Sequence, residues 1–190
     1  MKKILVFCGH PDDDSMNHRF ADAYAKGARA SGYEVRQSNL GDLHFDPILH
    51  HGYKVIQALE PDLLKLQEDI KWCDHFVIVY PSWWSTMPAL LKGLFDRMWM
   101  PGFAFHFGHS GILWQRLLKG KTARVFVTSD SNPFFARIVF GDDVNEIKRG
   151  ILWFAGFSAR VKKIGPMKNL TDSKKQSWLK WFERKGEKAY

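Results

Sequence analysis

The stretch HFVIVYPSWWSTMPALLKGLFDRMWMPGFAF, His75 to Phe105, decides how the chain is read. It opens on an unbroken apolar run, Phe76-Val77-Ile78-Val79-Tyr80, rich in β-branched and aromatic side chains, as a strand buried on both faces of a sheet should be. Pro81 has no N–H for the ladder and ends the strand, and the polar-aromatic loop Ser82-Trp83-Trp84-Ser85-Thr86 follows. Pro88 suits a first helical turn, after which Ala89, Leu90, Leu91, Leu94, Phe95 and Met98 recur at helical spacing. Adjacent tryptophans in a loop are costly to leave in water. They either cover something flat and apolar or pack under the loop, and this stretch alone leaves both open.

Upstream, Lys3 to Gly9 reads as a first strand, followed by the loop His10-Pro11-Asp12-Asp13-Asp14-Ser15-Met16-Asn17. A helix from about Asn17 to Ser31 places Phe20, Ala21, Tyr24, Ala25 and Ala28 on one face, and Gly32 ends it. Glu34 to Asn39 is a short second strand. Leu40 to Glu60 is the longest irregular segment, and a loop of that length is functional or shape-giving. His50 and His51 lie in it, but adjacent residues do not easily chelate one ion and no carboxylate motif accompanies them, so no metal site is expected. Pro61 starts another helix with Leu63, Leu66 and Ile70 inward.

Downstream, residues 100 to 120 form a glycine-rich crossing with Gly102, Gly108, Gly111 and Gly120. Thr122 to Ser129 is the fourth strand, and Asp130 to Phe135 is read as a loop. A helical stretch from Asp143 to Ala155 leads past Gly156 to a fifth strand at Val161 to Ile164. The last helix opens on a capping-box pattern, Ser173 to Gln176, and turns Trp178, Trp181 and Phe182 inward. Strand and helix thus alternate along one α/β domain spanning residues 1–190. The expected architecture is a doubly wound, five-stranded parallel sheet of flavodoxin-like order 2-1-3-4-5.

Composition narrows the function classes. At 45% hydrophobic and 25% charged residues, the 190-residue chain has ordinary globular chemistry. No apolar run approaches the roughly 18 to 20 residues of a membrane span, and the run after Lys2-Lys3 is too short for a signal sequence, so a cytoplasmic protein with no transmembrane segment is expected. Cys8 and Cys73 lack metal or redox spacing and read as free thiols. The net charge of +8 favours anionic partners, but many of the cations fall in the last thirty residues on solvent faces, and no nucleic-acid motif is present. Nucleic acid is therefore not an expected partner.

Ligands of such sheets bind beyond the carboxyl ends of the strands where their order reverses, which selects loops 9–17, 81–87 and 128–135. The first ends at a helix N-terminus, where unpaired N–H groups and the helix dipole favour an anion. Ser15 and Asn17 can add donors there, or they merely cap the helix; His10 can donate from a ring nitrogen. Asp12, Asp13 and Asp14 would repel a phosphate and must point outward or cap. The loop has neither GxGxxG nor GxxxxGK[ST], which argues against dinucleotide-fold and nucleotide-hydrolase readings.

The combination of HPDDDSMN at 10–17, YPSWWSTMPALLKGLFDRMW at 80–99, GFAF at 102–105 and RGILWFAGF at 149–157 resembles the flavodoxin-like NAD(P)H:quinone oxidoreductases, among them bacterial quinone reductases and potassium-efflux ancillary oxidoreductases. The resemblance implies FMN or FAD held in a homodimer, with NAD(P)H as co-substrate and a quinone-like small molecule as acceptor. By match to the family's motifs, His10, Ser15, Met16 and Asn17 hold the flavin's phosphate side. Pro81, Ser82, Trp83, Trp84 and Ser85 line the isoalloxazine, and Thr128, Ser129 and Asp130 meet its other edge. Phe103 and Phe105 occupy the segment that a neighbouring subunit lays over the ring, so that Phe103, Phe105 and Trp84 would touch the reacting atoms.

The chain also departs from that pattern. It has TSDSNPFF where animal quinone reductases have a TTGG turn, with Phe140 in place of a histidine and Phe105 in place of a tyrosine. Phenylalanine donates no proton, so a protein relay at those positions is not expected. One slot over one flavin implies that NAD(P)H and acceptor bind in turn, giving ping-pong kinetics. Two other readings stand beside the enzyme: a regulatory flavoprotein subunit of a potassium-efflux system, and a flavodoxin-like electron carrier, which the +8 charge disfavours. FMN against FAD, NADH against NADPH, and the physiological acceptor are left open.

Overall fold

In the computed structural model, residues 1–108 and 113–189 are described, so Gly111 of the glycine-rich crossing lies outside the described residues. A parallel sheet contains β1 (Lys3–Cys8), β2 (Glu34–Asn39), β3 (His75–Pro81), β6 (Thr122–Thr128) and β7 (Ser158–Ile164), in the order β2-β1-β3-β6-β7. This is the expected 2-1-3-4-5 winding, with β3 central and buried along its whole length. The register runs Ile4 opposite His75, and His75 in turn opposite Thr122, bringing the carboxyl ends of β1, β3 and β6 to one edge.

Each face of the sheet has its own core. On one, α2 (Pro61–Trp72) and α3 (Ala89–Met98) cover Leu5, Phe7, Phe76 and Ile78. On the other, α1 (Met16–Ala30) and α5 (Asp172–Glu187) cover Ile4, Val6, Val77, Val79 and Phe126. The face of α1 read from periodicity, Phe20 through Ala28, is buried as expected, as are Leu63, Leu66 and Ile70 of α2. The two helices α1 and α5 touch backbone to backbone. A Cβ on Gly27 would fall 2.0 Å from the Glu183 carbonyl oxygen, and one on Gly186 would fall 2.0 Å from that of Tyr24, so only glycine fits at either crossing point.

Several local expectations are corrected. The end of β3 is not among them: Pro81 is its last paired residue, opposite Thr128, and the next N–H, that of Ser82, donates to the Thr128 carbonyl at 2.7 Å. Ala89 is exposed, and α3 buries Leu91, Leu94, Phe95 and Met98 instead. The loop read over 130–135 contains a helix, α4 (Pro133–Phe140), capped by the Asn132 side chain accepting from the Phe134 N–H, with Pro133 at its first position. The stretch around 143–155 is helical, but Glu146–Trp153 winds as a π-helix. The crossing holds a two-stranded antiparallel ribbon, β4 (Phe105–Phe107) with β5 (Trp114–Arg116). Thr171, not Ser173, caps α5, its hydroxyl accepting from the Lys174 N–H. Phe182 is buried in α5 while Trp178 and Trp181 stay half-buried, because the helix lies at the margin of the sheet.

The irregular segment 40–60 is held from α3 by Arg97, which is 1% exposed. Its guanidinium donates to the Asp46 carbonyl, to the Ala58 carbonyl at 2.7 Å and to both carboxylate oxygens of Glu60 at 3.1 and 3.0 Å. Desolvation and this ion pair act in opposite senses on Glu60, and the pair holds its carboxyl below the usual range. The segment is therefore shape-giving, fastened by a planar five-donor group that suits several acceptors at once. His50 ends its reach at Asp46, 2.7 Å away.

Candidate functional site

Three loops leave the carboxyl ends of β1, β3 and β6, and hydrogen bonds tie each to the next. Gly9 donates to the Val79 carbonyl at 2.8 Å, joining the first loop to β3. A side chain there would fall 2.8 Å from Leu91 and 2.9 Å from Tyr80, so the chain passes at this point only as glycine. Asn17 is buried, and its side-chain oxygen accepts from the Thr128 hydroxyl at 2.9 Å, joining the first loop to β6.

Ser15 is the N-cap of α1, its oxygen accepting from the His18 N–H at 3.2 Å. The capping role and the donor role are compatible, since the hydroxyl hydrogen remains to donate. The N–H groups of Met16 and Asn17 have no carbonyl four residues back within the helix and point at the loop. The acidic run is turned to its own ends: Asp12 accepts from the Asp14 N–H at 3.0 Å, and Asp14 pairs with Arg19 at 2.9 Å. All three aspartates are exposed. His10 is fixed by its Nδ1, 3.0 Å from the Asp12 backbone nitrogen, and its ring meets Trp83 edge to face at 5.4 Å.

The second loop is a tight hairpin. Trp83 and Thr86 exchange backbone hydrogen bonds at 2.9 and 3.2 Å, with Trp84 and Ser85 at the tip. Both tip residues have positive φ, 52° and 62°, the geometry of a type I′ turn, which Asn-Gly adopts readily and Trp-Ser does not. The Trp84 side chain is fully exposed and Trp83 is 43% exposed. Packing beneath the loop is thus excluded for Trp84 in this chain by itself.

A fourth segment, missed in the sequence, closes against this turn. Ser82 Oγ donates to Asp143 at 3.3 Å, and Lys163 of β7 holds the same carboxylate at 2.6 and 2.8 Å. Thr86 Oγ1 donates to Glu146 at 2.5 Å. Asp143 and Glu146 gave one signal, lying just after Gly141, whose φ of 79° breaks the chain from α4. The partner Lys163 gave none. Burial pushes the Tyr80 phenol up, with Glu146 and Asp143 adding to the effect, so this hydroxyl stays protonated beneath the site.

In the third loop Thr128 is buried, Ser129 Oγ accepts from the Ser131 N–H at 3.0 Å, and Asp130 is exposed. The two phenylalanines of the GFAF segment have different surroundings. Phe103 is 4% exposed and edge-on to Trp99 at 5.5 Å, packed in the core of its own chain. Phe105 is half-buried against Phe107 and Phe154, at 5.1 and 5.0 Å. Phe140, at the end of α4, is 61% exposed.

Comparison with known proteins agrees with the fold. A family model described as "Flavodoxin-like fold" matches residues 2–162. A ribosyldihydronicotinamide dehydrogenase-like protein of Penicillium crustosum is 29% identical over 185 residues, covering 82% of this chain and 69% of its own length. The ribosyldihydronicotinamide dehydrogenase [quinone] of Rattus norvegicus is 25% identical over 213 aligned positions, covering 96% of this chain and 90% of its own. A crystal structure of a Streptococcus mutans UA159 protein superposes with a TM-score of 0.83 at 25% identity, covering 98% of this chain and 99% of that one.

Proposed function

The chain belongs to the flavodoxin-like fold family, and from that membership we propose that it is a flavin-dependent NAD(P)H oxidoreductase acting on quinones or similar acceptors. The observation that carries the reading is a convergence at one edge of the sheet. A helix N-terminus with unpaired N–H groups lies beside a strained turn that holds a fully exposed tryptophan. The first suits a phosphate and the second a flat ring, and FMN or FAD has both. A flavin bound there supplies the acceptance of hydride from NAD(P)H and its onward transfer to the acceptor.

The chain's own residues bind, orient and screen. The N–H groups of Met16 and Asn17 and the hydroxyl hydrogen of Ser15 would meet the phosphate, with His10 braced behind them on Trp83. Pro81, Ser82, Trp83, Trp84 and Ser85 would line the ring, and Thr128, Ser129 and Asp130 its far edge. The Asp143–Lys163 pair fixes the Ser82 hydroxyl and so the root of the turn. Phe105 and Phe140 carry no proton and burial pushes the Tyr80 phenol up, so quinone reduction would draw its protons from solvent, backbone-bound water or the reduced flavin.

We read the chain as one domain and a homodimer. Phe107, Leu117 and Trp153 expose apolar surface around the β4–β5 ribbon that a second copy would cover, with Phe105 at its root. The cytoplasm is its proposed location; no helix among the described residues is long and apolar enough to cross a membrane. The test is the absorption spectrum of the purified protein, chromatography of the released cofactor, and NAD(P)H oxidation with a water-soluble quinone. A flavin spectrum with turnover supports the reading. Protein that takes up no flavin on reconstitution overturns it.

A further inference from the structure

The turn that carries Trp83 and Trp84 is held in a conformation its own sequence disfavours, since Trp84 and Ser85 have φ of 52° and 62°. Turns of this kind persist where their surroundings over-determine them. The hairpin's own two hydrogen bonds, between Trp83 and Thr86, close it without fastening it to the rest of the chain. His10 steadies the Trp83 ring, and the Ser82 N–H ties the root to β6. Two side-chain tethers do the rest, one at each end. Ser82 Oγ donates to Asp143 at 3.3 Å and Thr86 Oγ1 to Glu146 at 2.5 Å, across 61 and 60 positions of sequence.

Both carboxylates come from one short segment. Asp142 accepts from the Val144 N–H at 3.2 Å, Asp143 precedes the π-helix, and Glu146 is its first residue. A carboxylate in a first turn ordinarily serves the N–H groups of its own helix, whereas Glu146 reaches out to the tryptophan turn. The segment is fixed in place by β7, where Lys163 holds Asp143 at 2.6 and 2.8 Å with the two side chains 16% and 7% exposed. The charges do not balance. Lys163 neutralises Asp143, and Lys92, which also feels Glu146, is held by Asp96 at 2.7 and 2.9 Å. Among the described residues no cation pairs with Glu146. Its field reaches beneath the site, where with Asp143 it adds to the burial that pushes the Tyr80 phenol up.

We propose that Asp143 and Glu146 are positioning residues, a two-carboxylate clasp on both ends of the tryptophan turn, and that the charge of Glu146 lowers the reduction potential of a flavin seated there. With residues 82 and 86 fixed, the indoles and N–H groups between them meet a flat ring already ordered, so binding loses less to conformational entropy. A carboxylate without a cation disfavours further negative charge nearby, and reduction adds electrons to the ring. The proposal rests on the flavin reading for what the turn receives, but not for the clasp itself.

Amide exchange on the flavin-free full chain reads the clasp directly. Thr86→Val and Glu146→Ala should each speed exchange of the Trp83 and Thr86 N–H groups by about tenfold while those of β1 keep their rates, and Thr86→Ser should restore the parent rate. Titration with FMN and with FAD should show each single variant binding about tenfold more weakly, and the double variant no weaker than either, because one hydrogen bond is lost in all three. Removing the Asp143 carboxylate would strand the Lys163 charge, so Ser82→Ala carries the test at that end, with a loss in the same sense. Glu146→Gln keeps an acceptor for Thr86 but no charge; it should bind flavin within about twofold of the parent and raise the potential measured by dye equilibration. Exchange and flavin affinity unchanged in Thr86→Val, or single losses that multiply in the double variant, overturn the clasp. A potential unchanged or lowered in Glu146→Gln overturns the charge effect. Parent protein that takes up neither flavin, while Thr86→Val still speeds exchange, sinks the oxidoreductase reading and the charge effect with it and leaves the clasp standing.

Discussion

Trp84 and Ser85 stand at φ 52° and 62°, where an L side chain costs on the order of 1–2 kcal/mol per residue. Such strain persists where something else requires the geometry, and here it lifts an indole into solvent beside the helix N-terminus. Replacing the tip by its preferred residues, Trp84→Asn with Ser85→Gly, should leave stability in urea unchanged or raise it by about 1 kcal/mol. Flavin retention should meanwhile weaken by on the order of 1–3 kcal/mol, and Trp83→Ala should act likewise on cofactor titration. Flavin affinity that survives both changes would leave the tryptophans with no part in binding. At the other end of β3, burial drives His75 down from 6.5 to about 4, with its Nδ1 2.8 Å from the Thr122 hydroxyl and no partner for Nε2. Its folded value is depressed, so the unfolded chain binds the extra proton. The stabilisation is complete above about pH 6.5 and drains away as pH falls towards 4, by up to about 3 kcal/mol. Urea unfolding at pH 7 and pH 4.5 should show the loss, and His75→Gln should flatten it. The thiols of Cys8 and Cys73 are likewise pushed up by burial, to about 11 and about 12, which leaves them inert.

Among the elements, the segment 40–60 and α4 show opposite ways of escaping a reading by periodicity. The first has only two three-residue turns of regular structure, and its shape depends on Arg97, 37 to 51 residues away in sequence from its partners and buried in α3. Its long side chain looks like a surface cation in LFDRMW; only the packing of α3 shows that it points inward. Arg97→Ala should cost about 3–5 kcal/mol in denaturant unfolding, because Glu60 is left without its partner, and Lys should rescue little, having no fork to bridge Ala58 and Glu60. A loss below 1 kcal/mol would mean the segment is held elsewhere. In α4 the sequence signals were present: Asn132 as cap and Pro133 at the first position. They do not reinforce one another, because PFFARIVF has no polar face and a helix without one is silent to amphipathic periodicity. The three-residue strands β4 and β5 are shorter than any alternation can register.

For the whole molecule, one flavin held by the loops after β1, β3 and β6 would leave one stacking slot. Nicotinamide and acceptor therefore occupy it in turn, and double-reciprocal plots at several quinone concentrations should be parallel. Intersecting lines would require a second binding position. The winding order, the central strand, the inward faces of α1 and α2 and the three loops that share one edge of the sheet were legible in the amino-acid sequence. Each depends on a local pattern: an unbroken apolar run for β3, a 3.6-residue stripe for α1, and proline or glycine where an element begins or ends. The tertiary structure alone decided the rest. Phe103 and Phe105 are two residues apart and chemically identical, yet one is sealed against Trp99 and the other is half open. Asp143 reaches the site through Lys163 and Ser82, and Thr128 is joined to Asn17 across 111 positions. Local patterns report which face of an element is apolar, whereas which distant side chain meets that face is fixed only when the sheet brings the elements together.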